Sequence, residues 1–169
     1  GLLSGSEHEA FFRAHSHRYR FVLRLVREAA PSGGSLLDAG ASPGHISALC
    51  SALGYDVQAV DLKPAEQFQP RSGLSPLNIF DRFSIPVEAA DISAGKLPFR
   101  DDSFSVVLFN ETIEHLIGSP LPAVRELARV LAPGGRLIIT TPNAASLKNR
   151  IRLLAGLNVF TPLEVAINV

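Results

Sequence analysis

Four short apolar runs each stop at a polar residue, and this constrains the chain more than any other feature. Leu36-Leu37 meets Asp38, Val57–Val60 meets Asp61, Val87–Ala90 meets Asp91, and Phe104–Phe109 meets Asn110. Between them lie stretches with three- and four-residue apolar spacing, which is helical periodicity. Glu7–Ala30 is the first, opened by a Ser6–Glu9 capping box and stopped by Pro31 and Gly33-Gly34. Gly44–Leu53 and Pro120–Leu131 follow, the latter closed by Pro133-Gly134-Gly135, and Asn143–Leu154 is the last. Arg136–Thr141 reads as a fifth strand, and residues 63 to 85 as a loop with a helical turn near Leu77–Phe83. Strands apolar on both faces and alternating with helices require a mostly parallel sheet covered on both sides. Right-handed crossovers then give a doubly wound, Rossmann-like α/β domain. No repeat or linker interrupts the chain, so one domain is expected: a helical lid over 1–30, a core over 35–142, and a substrate-side segment over 143–169.

In such a sheet ligands bind beyond the carboxyl ends of the strands. Asp38, Asp61, Asp91 and Asn110 therefore collect along one edge. The first turn, Leu37-Asp38-Ala39-Gly40-Ala41-Ser42-Pro43-Gly44, offers a glycine able to take positive φ. Ser42 reads as an N-cap and Pro43 as a first helical residue, which would aim free N–H groups at an anion. Asp61, about 20 residues past Gly40, is spaced to accept from ribose hydroxyls. The turn is not G-x-G-x-x-G, and an acid at 38 suits a cationic ligand better than a pyrophosphate.

Balance excludes other classes. The 16 basic and 16 acidic residues cancel, so there is no whole-domain basic footprint for nucleic acid. The single cysteine, Cys50, rules out an internal disulfide and reads as a small core hydrophobe. No apolar stretch approaches a membrane span, and a cytoplasmic location is the expectation. The Arg13, Arg18, Arg20, Arg24 and Arg27 series in the first helix, with His8, His15 and His17, reads as a solvated face or as a lid meeting an anionic partner.

Together these stretches resemble class I S-adenosylmethionine-dependent methyltransferases. The first turn resembles that family's glycine-rich motif, Val60-Asp61 its acidic second-strand end, and Ala90-Asp91-Ile92 with Leu97-Pro98-Phe99 its adenine-side motif. Phe104–Leu116 resembles its fourth-strand motif, and Leu131–Leu137 the turn before strand five. The resemblance implies S-adenosylmethionine as cofactor, held by Asp38, Gly40, Ser42, Gly44, Asp61, Leu62, Asp91, Ile92 and Asn110. It implies methyl transfer to an oxygen or nitrogen of a small molecule, lipid or glycan. RNA methylation and a non-catalytic cofactor-binding role are the alternatives, with a nicotinamide dehydrogenase behind them. His115 is the candidate catalytic base. Glu111, Glu114 and His115 also resemble a magnesium-binding E-x-x-E-H set found in some relatives, but no metal is assigned. Two departures stand out: Ser42 replaces a usual glycine, and Ser105, where an acid is common, is expected to face solvent. The family sheet has seven strands ordered 3-2-1-4-5-7-6, and Pro142–Val169 is too short for the missing helix and hairpin, so a longer natural chain is expected.

Overall fold

The computed structural model describes residues 6–62, 77–143 and 147–157. The elements are α1 (Ser6–Ala29), β1 (Ser35–Ala39), α2 (His45–Ala52), β2 (Asp56–Asp61), α3 (Leu77–Arg82), β3 (Val87–Ala89), β4 (Phe104–Asn110), α4 (Leu121–Val130), β5 (Leu131–Thr140) and α5 (Leu147–Leu154). The strands form one sheet ordered β3-β2-β1-β4-β5. Every neighbouring pair is parallel. This is the expected doubly wound α/β arrangement, and its order is the first five places of the seven-stranded family order. The capping-box side chains at Ser6 and Glu9, the loop over 63–76 and the start of the last helix at 144–146 lie outside the described residues. Among the described residues no helix is long and apolar enough to cross a membrane.

Alternation along the central strands explains why helices are needed on both faces. Leu36, Val106 and Leu108 enter one core with Val22, Val26, Cys50 and Phe80 from α1, α2 and α3. Leu37, Val107 and Phe109 enter the other with Ala123, Leu127 and Val130 from α4. Each buried Leu, Val or Phe contributes about 1.5–3 kcal/mol, so neither face is dispensable.

A polar clamp fixes the connection between β3 and β4. Buried Glu126 on α4 accepts from the Leu97 N–H at 2.7 Å and from Arg129 Nε at 2.9 Å. Arg129 in turn donates to the carbonyl of Phe99 at 3.0 Å and to the Asp101 carboxylate at 2.5 Å. The Arg129 guanidinium bonded to Glu126 holds that carboxyl below its ordinary value. The Leu97-Pro98-Phe99 segment is thereby held against α4.

Three local expectations need correction. Ser42 does not cap α2: Gly44, at φ 86°, takes that place without a side-chain hydrogen bond, and the Ser42–Pro43 peptide is cis. A side chain at Gly44 would reach within 2.9 Å of the Phe80 ring, so Gly44 is the close-packed entry to α2. The fifth strand begins at Leu131 rather than Arg136. Phe104 pairs with Leu131 and Val106 with Arg136, so Ser105 alone faces the stretch Ala132–Gly135. The turn read at Pro133-Gly134-Gly135 is this bulge. Ser105 does not face solvent: it is half-buried, its N–H donates to Ser35 Oγ at 3.1 Å and its hydroxyl to the Ser35 carbonyl at 2.8 Å.

Candidate active site

The carboxyl ends of β1, β2 and β4 meet at the turn after β1. The Gly40 N–H donates to the Val60 carbonyl at 2.8 Å, which seats the turn on the tip of β2. Gly40 has φ 74°, and a Cβ there would fall 2.3 Å from Thr112 Oγ1. Thr112 itself donates to the Asn110 carbonyl at 2.9 Å. The turn after β1 and the turn after β4 therefore pack backbone against side chain, with no room for another atom.

Asp38 is 1% exposed and accepts from Ser47 Oγ at 2.5 Å. Burial pushes its carboxyl up to about 7; the Ser47 hydroxyl opposes this and the charge of Asp61 adds to it. A carboxylate deprived of water is costly unless it is paired. Asp61 is half-buried at the end of β2. It accepts from the Ser42 N–H at 3.1 Å and the Leu62 N–H at 2.7 Å. Burial raises its carboxyl, and those two N–H groups oppose the rise. Ser42 thus serves the site through its backbone, while Leu62 beside it is 66% exposed.

Beyond β3, Asp91 is exposed and accepts from the Ser93 hydroxyl at 2.6 Å and the Ser93 N–H at 2.8 Å. The Ser93 hydroxyl leads in holding this carboxyl below its ordinary value. Ile92 is buried in the α4-side core, so only its backbone is available at the edge. Asn110 Oδ1 accepts from Thr140 Oγ1 at 3.3 Å, whereas its Nδ2 is buried and has no hydrogen-bond partner. An unpaired buried donor costs about 1–3 kcal/mol, and its presence here points to an acceptor brought by a ligand.

Asp38, Gly40, Ser42 and Asn110 line one cavity of about 90 Å³, and among its other lining residues are Arg18, Tyr19, His45 and Glu111, none of which the sequence placed in the cofactor site. That volume holds several water-sized groups. Arg18 donates to Glu111 Oε2 at 2.8 Å, joining α1 to the end of β4. Glu111 holds φ 51°, an uncommon conformation outside glycine, and its N–H donates to the Thr140 carbonyl at 2.9 Å. Asp61 and Leu62 border the cavity through Ser42, and Asp91 lies past the next strand. Gly44 is not among the lining residues. His115 sits exposed in a single 3-10 turn, Ile113–His115, and is also not among them. Glu114 accepts from Thr141 Oγ1 at 3.4 Å. The E-x-x-E-H carboxylates thus face different partners, and among the described residues no cluster is arranged to hold a metal ion. Arg18 carried a signal in the arginine-rich helix. Nothing local marked Tyr19 or His45.

Residues 14–160 match a family model described as a methyltransferase domain. The chain is 36% identical over 115 residues to a demethylmenaquinone methyltransferase from Clavibacter sepedonicus, covering 68% of this chain and 44% of that protein. It is 33% identical over 138 residues to a malonyl-acyl-carrier-protein O-methyltransferase from Erwinia billingiae, covering 78% and 51%. A ubiquinone biosynthesis O-methyltransferase from Xanthomonas campestris is 32% identical over 118 residues, covering 70% and 46%. The chain spans about half the length of these relatives. In fold it is similar to a crystal structure of a Pyrococcus horikoshii protein, with TM-score 0.65, 24% identity, and 84% and 62% of the two chains covered. It is likewise similar to a Thermotoga maritima protein described as an S-adenosylmethionine-dependent methyltransferase, possibly a histamine N-methyltransferase, with TM-score 0.60, 22% identity, and 88% and 63% covered.

Proposed function

The chain belongs to the class I S-adenosylmethionine-dependent methyltransferases, and from that premise we propose that it moves a methyl group to an oxygen or nitrogen of a small or lipid-linked molecule. The carrying observation is the chemistry of the cavity wall. A buried carboxyl (Asp38), a guanidinium (Arg18) and an unpartnered amide donor (Asn110) converge on it. That set fits the amino-acid end of the cofactor, with carboxyl for ammonium and cationic or amide donors for carboxylate. When bound, S-adenosylmethionine supplies a methyl group already activated on sulfonium.

The chain's own residues then have four tasks. Asp61, oriented by the Ser42 and Leu62 N–H groups, keeps lone pairs for ribose hydroxyls. Leu62 offers an apolar face to the purine, and Asp91 with the Ile92 backbone reads the purine edge. Gly40 keeps the first turn close to β2, and Ser42 and Gly44 carry it into α2. The middle of α1, lying over the cavity through Arg18 and Tyr19, acts as the lid. Holding the nucleophile in line at close range can supply up to about 7–11 kcal/mol of the barrier.

Asp61→Ala is expected to weaken cofactor binding by about 1–3 kcal/mol, since it leaves buried hydroxyls and two N–H groups without their acceptor. Calorimetric titration with S-adenosylhomocysteine checks this, and an unchanged affinity removes the assigned role. The function is tested by incubating the full chain with methyl-labelled S-adenosylmethionine and separate lipid, small-molecule, glycan and RNA fractions. Label is expected in a lipid or small-molecule fraction and is expected to disappear with excess S-adenosylhomocysteine. Label confined to RNA, with steep salt dependence, would overturn the acceptor class. No label anywhere, with the cofactor bound, would leave a binding protein.

A further inference from the structure

We propose that α5 docks on an anionic lipid surface, its apolar residues entering the headgroup layer and its arginines meeting lipid phosphates. The helix is a finished element. The Gly156 N–H donates to the Leu153 carbonyl at 3.0 Å and the Leu157 N–H to the Arg152 carbonyl at 2.8 Å, with Gly156 at φ 69°. Two such bonds around a left-handed glycine close a helix end. Its surface nevertheless does not suit water. Ile151, Leu153 and Leu157 are each more than half exposed, and Leu154 is 89% exposed. Among the described residues, neither core cluster includes a residue of α5. A helix facing solvent carries polar residues on its outer side, and this one carries isoleucine and leucine there.

Charge selects the occupant. From Thr140 to Leu163 every charged residue is basic, namely Lys148, Arg150 and Arg152, although the whole chain balances at zero. Arg150 and Arg152 are both exposed. At 3.6 residues per turn, Ile151 and Leu154 share one stripe, and Arg150 and Arg152 fall on opposite sides of it. Arginine lays its methylene stem along apolar neighbours and keeps its head at a polar boundary. An apolar stripe edged by cations is the pattern of a helix lying in the plane of a lipid interface, held by apolar burial and by attraction to anionic headgroups. A neutral surface would leave both guanidinium heads without a counter-charge.

The position of α5 links it to the cavity. The Asn149 Nδ2 donates to the Asn143 carbonyl at 3.0 Å, which ties the helix to the segment leaving β5. Thr140 at the end of β5 accepts the Glu111 N–H and donates to Asn110 Oδ1. The helix therefore hangs from the edge of the sheet that carries the cavity. Docking stands without methyl transfer and bears on that reading only by bringing a lipid-linked acceptor to the same edge.

The full chain is to be mixed with vesicles of phosphatidylcholine alone and with vesicles of equal parts phosphatidylcholine and phosphatidylglycerol, and bound protein separated by flotation. At least tenfold more protein is expected on the anionic vesicles. The bound fraction should fall several-fold as salt rises from about 0.1 to about 1 M. Ile151→Ser with Leu154→Ser, and separately Arg150→Gln with Arg152→Gln, should each lower binding at least fivefold. Both should keep the parent's melting temperature and hold S-adenosylhomocysteine affinity within twofold. Arg20→Gln with Arg24→Gln, on the basic side of α1, should bind vesicles like the parent. No flotation, equal flotation with both vesicle types, undiminished binding by the α5 variants, or loss of binding in the α1 variant overturns the proposal. A lowered melting temperature in Ile151→Ser with Leu154→Ser shows another part of the chain on this face. A parent dimer split by the same pair of changes shows a second copy there, and either result also overturns it. Vesicle binding needs no turnover, so its failure counts against docking alone, whereas absence of label in every fraction counts against methyl transfer.

Discussion

Gly40→Ala is expected to lower the unfolding free energy by roughly 3 kcal/mol and to abolish measurable cofactor binding. Two costs combine. The φ of 74° charges an alanine about 1–2 kcal/mol. The new methyl would also stand 2.3 Å from Thr112 Oγ1, 2.6 Å from its Cγ2 and 3.0 Å from its Cβ. Thr112 must move, and it cannot do so without giving up its hydrogen bond to the Asn110 carbonyl and shifting the Asn110-Glu111 wall of the cavity. A domain of this size loses about 2–4 °C of Tm per kcal/mol, so a fall of about 6–12 °C should appear in a thermal melt. Adding Thr112→Ala removes the two nearest atoms and should restore part of the loss, leaving the backbone cost. If Gly40→Ala melts with the parent protein, the close packing of the two turns is refuted.

Asp38→Asn should produce the largest change in pH behaviour. The folded-state carboxyl lies at about 7, mainly because burial penalises its charge, against an ordinary value of 3.8. The folded state therefore holds this proton more tightly than the unfolded chain. Its stabilising contribution is complete below about pH 3.8 and is lost as pH rises through 7. At 1.36 kcal/mol per pKa unit this span is of the order of 4 kcal/mol. Asparagine keeps an acceptor for Ser47 and has no charge to bury. Urea unfolding at pH 5 and pH 8 should show the parent losing stability relative to Asp38→Asn across that interval. Cofactor affinity should move the other way: in the parent it rises with pH as the carboxylate forms to meet an ammonium, and in Asp38→Asn it is weaker and flat. Parallel stability curves would mean that Asp38 does not titrate in this window.

Much of the fold was legible because its signals are local. An apolar pair running into Asp38, between two glycine-rich turns, delimits β1 to the residue. The polar strand ends were legible in the same way, and the structure brings Asp38 and Asn110 to one cavity with Asp61 bonded to its Ser42 wall. The errors fell where a distant partner outbid a local preference. Ser42 has a capping residue's chemistry, but α2 starts beyond it with Gly44 in the cap position, and Ser42 contributes its N–H to the Asp61 carboxylate of another strand. The start of β5 was missed because its first residue pairs with Phe104 and a bulge then follows, which no turn rule encodes. Arg18 and Glu111 are 93 residues apart, and only the folded course of α1 across the sheet makes them neighbours. The cavity wall formed by α1 was thus unreadable in advance, although Arg18 and Tyr19 stand in plain view in the sequence.

The contact from the Ser42 N–H to Asp61 gears the two halves of the crevice together. The carboxylate that would greet a sugar is fastened to the loop that would cradle an amino acid, so slack taken up at one end is taken up at the other. A nucleoside alone or an amino acid alone meets a cradle that is only half drawn tight. A molecule joining both engages a single mechanical unit, which makes such a crevice a discriminating gauge of whole molecules over their fragments.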